Sequence, residues 1–217
     1  MIVNDRITAY INSLEQGNGA VCDAIEEEAL SSYVPIIRKE TSALLKTLVA
    51  LKQPKAILEV GTAVGYSALL MSRVMPENCR ITTIEKYEKR IPIAKDNFKR
   101  AGKEQCITLL EGDAEEILKT LSGPYDFIFM DAAKGQYLHW LPMLLALLPK
   151  GGVLVSDNVL QDGDIIESHF AVERRNRTIY KRMREYLYTL THHPNLVTSI
   201  LPVGDGITVS VYKDAEE

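Results

Sequence analysis

The sequence predicts an α/β fold: a mostly parallel sheet with helices on both faces and an antiparallel hairpin near its C-terminal end. Three observations carry that expectation. Short apolar segments alternate regularly with helical ones between residues 56 and 156. Gly61 and Gly65 frame a tight turn between the first of those segments and a helix opened at Ser67. Two strand-like runs, 196–202 and 207–212, are joined by Gly204-Asp205-Gly206, the composition of a hairpin turn.

Taken in order, residues 4–52 read as mostly helical. Ile7, Ile11 and Leu14 keep helical spacing, and Leu44, Leu45, Leu48 and Leu51 keep it again. Gly17 and Gly19 separate two of these helices, and Val34-Pro35 interrupts the next pair. The expected strands are 56–60, 80–85, 107–111, 127–130 and 153–156. No repeat or Ser/Gly linker divides the 217 residues, so one domain, 1–217, is expected, with 1–52 as a helical extension of a 53–217 core.

The formal net charge of −4 argues against nucleic-acid binding over the whole surface but leaves room for a local basic patch. Cys22, Cys79 and Cys106 are odd in number and dispersed, which favours reduced thiols. The start lacks a basic-then-apolar leader pattern. The most apolar run, 141–148, is far shorter than the ~20 residues that cross a membrane. A cytoplasmic protein without a membrane partner is expected.

In an open parallel sheet, ligands lie beyond the carboxyl ends of the strands. Glu59 stands just before the glycine turn, where it could hold an ammonium. The turn reads G-x-x-x-G, and the second glycine of a dinucleotide motif would fall at Ala63. Glu85 ends the second strand about 25 residues beyond the turn, near the interval at which an acid accepts ribose hydroxyls. Together these features favour S-adenosylmethionine over NAD. Asp113-Ala114 follows the third strand, where Asp113 could equally be only a helix N-cap.

Asp131, Asp157 and Asn158 end the fourth and fifth strands. Two carboxylates and an amide oxygen make a hard oxygen set suited to Mg²⁺. The four histidines show no zinc pattern. Lys134, three residues after Asp131 and expected at a helix start, could take a proton from a hydroxyl. Its plainer reading is a solvated partner of Asp131.

These residues resemble the metal-dependent catechol and caffeoyl-CoA type O-methyltransferases, within the class I methyltransferase fold. The likeness runs through Val34-Pro35-Ile36-Ile37, the segments 57–68, 83–90 and 111–114, then 129–137, 156–160 and 202–206. It implies that Gly61, Ser67 and Asp131 serve the methionine end of S-adenosylmethionine, Glu85 the ribose, and Asp113-Ala114 the adenine. Ile37 would lie on the loop over the cofactor. Asp131, Asp157 and Asn158 would hold Mg²⁺, and Lys134 would be catalytic beside Asp131. A homodimer is implied too. Ala133 departs from the family, many of whose members carry a second acid there. The VPI loop, 131–137 and 193–206 further resemble a branch that methylates 5-hydroxyuridine in the tRNA anticodon.

Residues 173–184 add to that last likeness, with six basic residues and one acid. Arg174, Arg175, Arg177 and Lys181 are the candidate RNA contacts, although the stripe also reads as a solvated helix face. 5-Hydroxyuridine sets a hydroxyl beside a carbonyl oxygen, much as a catechol sets two hydroxyls side by side. The expectation is therefore a Mg²⁺-dependent tRNA O-methyltransferase. A small-catechol enzyme is the alternative, and a non-catalytic cofactor-binding protein the more distant one.

Overall fold

The computed structural model describes residues 3–167, 173 and 177–213. Three helices come first: α1 (Asp5–Ser13), α2 (Ala20–Ser31) and α3 (Lys39–Lys52). Strand and helix then alternate through β1 (Ala56–Val60), α4 (Tyr66–Ser72), β2 (Arg80–Glu85), α5 (Ile91–Arg100) and β3 (Ile107–Glu111). The alternation continues through α6 (Ala114–Thr120), β4 (Phe127–Met130), α7 (Tyr137–Leu147) and β5 (Val153–Ser156). Helix α8 (Arg177–His192) leads to the hairpin of β6 (Leu196–Leu201) and β7 (Ile207–Tyr212).

The seven strands form one sheet in the order β3-β2-β1-β4-β5-β7-β6. The first five are parallel, while β7 runs antiparallel to both β5 and β6. Order reverses between β1 and β4, which opens a crevice above their carboxyl ends. Alternation of side chains along each strand splits the core into two layers. Ile57, Phe127, Phe129, Val153 and Val155 pack on the face of Ile25, Leu45, Val49 and Leu69. Leu58, Val60, Ile128, Met130 and Leu154 pack on the other, with Leu144, Met183 and Leu190. Burial on both faces is why β4 is a continuous apolar run and why β1 and β5 are apolar apart from Glu59 and Ser156.

The expected strands coincide with those observed except at the hairpin. There β6 ends at Leu201, because Pro202 has no N–H to continue the ladder. Lys134 also departs from expectation: it opens a 3-10 turn, Lys134–Gln136, and the α-helix begins at Tyr137. All three cysteines are free thiols. Among the described residues, no helix is long and apolar enough to cross a membrane.

Candidate active site

A cavity of about 710 Å³ opens along the carboxyl ends of β1, β2, β4 and β5, under a roof of Pro35 to Arg38 and beside Asp205. Its floor depends on one close approach. Gly61 sits at φ 106°, and a Cβ there would collide with the carbonyl oxygen of Asp131, so only glycine lets the ends of β1 and β4 meet. Gly65, with φ 85°, caps α4 and starts the helix that carries Ser67 to the wall.

Ile37, Gly61, Ser67, Glu85, Asp113, Ala114, Asp131, Lys134, Asp157 and Asn158 all line this cavity. Glu59 does not; it lies fully buried behind Ser67, whose hydroxyl donates to it at 2.6 Å. The Thr83 hydroxyl donates to its other oxygen, and Thr62 continues the chain to Thr83 at 2.6 Å. Burial outweighs those two donors and raises the Glu59 carboxyl to about 7. Glu59, expected to meet an ammonium, thus stands one hydrogen bond behind the cavity wall, where it fixes the Ser67 hydroxyl.

Glu85 is held by three backbone donors: Ala63 N–H at 2.8 Å on one oxygen, Lys86 N–H at 3.0 Å and Tyr87 N–H at 2.8 Å on the other. The carboxylate is therefore immobile and still has lone pairs for hydroxyl groups. Asp113 is the helix N-cap that one of its readings expected. It caps α6 by accepting from Glu115 N–H at 2.9 Å while it lines the cavity. That bond, with Lys86 3.3 Å away, holds its carboxyl below the usual range.

Asp131 and Asp157 descend from neighbouring strand ends. Asp131 N–H donates to the Val60 carbonyl and Asp157 N–H to the Met130 carbonyl, each at 3.0 Å. Burial raises both carboxyls, the charge of Asp131 raises Asp157 further, and Lys134 opposes both shifts. Two buried carboxylates facing each other are costly unless a cation joins them. The donors fit a hard divalent ion. Asp131, Asp157 and the Asn158 amide oxygen, which line the same cavity, would hold it.

Three residues that sequence reasoning did not place in the site organise it. The Tyr137 hydroxyl accepts from Ala132 N–H at 3.1 Å and lies 3.3 and 3.2 Å from the carbonyls of Met130 and Asp157. One phenol thereby ties together the backbones carrying both acids. Asp205 accepts from Asn158 Nδ2 at 3.2 Å and forms an ion pair with Arg38. Tyr137 and Asp205 lay in motifs already noted, but no sequence spacing brings residue 205 to residue 158.

The family model for an O-methyltransferase matches residues 21–213. The chain belongs to this O-methyltransferase family. It is 34% identical to the caffeoyl-CoA O-methyltransferase of Medicago sativa, over 76% of this chain and 70% of that one. It is 38% identical to a catechol O-methyltransferase of Niastella koreensis over 129 residues, a match spanning 58% of either protein. The SAH-bound methyltransferase PaMTH1 of Podospora anserina superposes with a TM-score of 0.87 at 28% identity, covering 97% of this chain and 95% of the other. This O-methyltransferase is accordingly an S-adenosylmethionine-dependent enzyme.

The candidate RNA contacts of the methyltransferase that the structure describes do not line its cavity. Arg174 and Arg175 lie outside the described residues. Arg177 and Lys181 are on α8 and do not line the cavity. Further along the stripe, the Arg184 guanidinium is spent on the Ile165 carbonyl and the Tyr180 hydroxyl, both at 3.0 Å. Arg182 donates to the Gly135 carbonyl at 2.9 Å, bracing the turn that carries Lys134.

Proposed function

We propose that this methyltransferase is a divalent-metal-dependent enzyme, with Mg²⁺ the natural ion, that methylates one of two adjacent oxygens on a small aromatic of the catechol or caffeoyl-CoA class. The observation that carries the reading is the Asp131, Asp157 and Asn158 set on the same cavity wall as Lys134. A divalent cation held there would polarise two neighbouring substrate oxygens and favour the ionised hydroxyl. Lys134 Nζ, in its neutral amine form, takes the proton that leaves the acceptor hydroxyl. The acceptor oxygen then receives the methyl group in line, and the methyl–sulfur bond of S-adenosylmethionine breaks to leave a neutral thioether. Ser67 and Gly61 position the methionine end, Glu85 the ribose, and Asp113 with Ala114 the adenine. Ile37 shields the reacting centre from water.

The tRNA reading uses the same chemistry, since 5-hydroxyuridine offers the same pair of oxygens. The relatives named above favour the small aromatic instead, and the cationic side chains of α8 that can be followed are partly committed to internal bonds. A homodimer belongs to the same proposal. Helix α1 buries none of its residues and leaves Ile7, Tyr10 and Ile11 exposed.

A substrate panel tests the proposal: catechol, caffeoyl-CoA and tRNA bearing 5-hydroxyuridine, each with S-adenosylmethionine and Mg²⁺, read by mass spectrometry. The expected result is a methyl ether of catechol or caffeoyl-CoA formed much faster than 5-methoxyuridine. The reverse order would move the substrate to tRNA and keep the chemistry. No methylated product from any of the three would contradict the enzyme assignment itself.

A further inference from the structure

The Gly204-Asp205-Gly206 turn does more than close a hairpin. It is wedged between two parts of the active centre. A Cβ on Gly204 would collide with Thr41 at the start of α3, and a Cβ on Gly206, at φ 91°, would collide with Leu160 in the loop after β5. Backbone bonds fix the second contact: Val159 N–H donates to the Gly206 carbonyl at 3.0 Å, and Leu160 N–H to the Asp205 carbonyl at 2.9 Å. The turn and the 157–160 loop are thus locked in register, one residue beyond Asn158.

Within that junction Asp205 meets the amide end of Asn158, while its other oxygen pairs with Arg38 in the roof of the cavity. Asn158 itself is held at φ 59°, a left-handed conformation that asparagine tolerates and that aims its short side chain. A carboxylate only accepts hydrogen bonds, so it selects the NH₂ end of the amide and turns the carbonyl oxygen away from itself. That leaves the carbonyl oxygen as the end free to ligate a cation beside Asp131 and Asp157. A flipped amide would instead offer two protons to a cation.

We infer that Asp205 is a positioning residue: it orients the Asn158 carbonyl for the divalent cation and, through Arg38, ties that ligand to the roof of the cofactor cavity. The inference rests on the metal reading proposed above. Its weight comes from orientation rather than charge, which two substitutions separate. Asp205→Ala removes the acceptor. Asp205→Asn keeps an acceptor oxygen for Asn158 Nδ2 and removes the charge.

The test is Mn²⁺ binding by calorimetry, with free Mn²⁺ followed by electron paramagnetic resonance. It would compare wild type, Asp205→Ala, Asp205→Asn, Asn158→Ala and the Asn158→Ala/Asp205→Ala double variant. Removing such an outer partner weakens metal binding by roughly 10–100-fold. Asp205→Ala is expected to fall in that range, Asp205→Asn to stay within about threefold of wild type, and the double variant to bind as Asn158→Ala alone. Three results would overturn the inference. One is unchanged Mn²⁺ affinity in Asp205→Ala. Another is equal loss in Asp205→Asn, which would make Asp205 a charge. The third is a further loss in the double variant, which would make it act without Asn158. Should wild type bind no Mn²⁺, the metal reading itself fails and the inference with it. Should Asp205→Ala be unfolded by circular dichroism, Asp205→Ser, too short to reach the amide, takes its place in both the single and the double variant: a loss of roughly 10–100-fold in the single variant upholds the inference, and unchanged affinity overturns it.

Discussion

Glu59 shows how a carboxyl acquires a function from its depth. Its place at the end of β1 was legible in the sequence, because an acid in an apolar strand has few other purposes. That it stands behind the cavity wall was not, since this depends on Thr83 from β2 and Ser67 from α4 closing over it. The raised carboxyl has a thermodynamic consequence. Its folded value of about 7 lies above the ordinary 4.5, so the native state binds the proton more tightly than the unfolded chain. That contribution is complete below about pH 4.5 and is lost as pH rises through about 7. Glu59→Gln, neutral at every pH, should therefore be more stable than wild type at pH 8, by up to on the order of 3 kcal/mol, with the difference closing near pH 5. Denaturant unfolding at the two pH values measures it, and a pH-independent difference would refute the burial argument. Lys134 makes a second prediction at this scale. Lys134→Met should slow methyl transfer by roughly 10²–10⁴-fold, while SAH affinity by calorimetry stays nearly unchanged.

Among the elements, the first five strands were readable to the residue because each is a short segment rich in β-branched and apolar residues bounded by polar turns, and β4 is buried along its whole length. The same logic failed at Lys134, where the segment after β4 makes a 3-10 turn before α7 begins. The cause is tertiary. Tyr137 must deliver its hydroxyl to the carbonyls of Met130 and Asp157, and Arg182 from α8 holds the Gly135 carbonyl. Neither partner is visible in local spacing. Tyr137→Phe tests how far this pin stabilises the two strand ends. It leaves the Ala132 N–H without its acceptor, at a cost of about 1–3 kcal/mol in equilibrium unfolding. Mn²⁺ affinity should fall as well, since both acids lose a common anchor. A variant as stable as wild type would show that the phenol is only packing.

For the whole molecule, the site draws on residues from 35 to 205, which is why its pieces were legible and its assembly was not. Five strand ends carrying acids pointed to a polar crevice. Nothing along the chain showed that the hairpin turn reaches the loop after β5, or that the arginines of α8 brace their own surroundings. The extension before β1 carries the remaining prediction. Ile7, Tyr10 and Ile11 on one short helix, with Leu14 at its C-cap, are 54, 66, 45 and 64% exposed, an apolar surface that a second copy of the chain would cover. Sedimentation equilibrium should give a dimer for wild type and a shift toward monomer for Ile11→Asp; a monomeric wild type would remove the dimer from the account.

The proposed function requires methyl transfer to depend on a divalent cation held by Asp131, Asp157 and Asn158. It is tested most directly by the initial rate of catechol methylation in Mg²⁺, after chelation with EDTA, and after Mg²⁺ is restored, for wild type and Asp157→Ala. Turnover by wild type should vanish with EDTA and return with Mg²⁺, and the variant should be at least about 100-fold slower. Undiminished methylation in EDTA, or by Asp157→Ala, would contradict it.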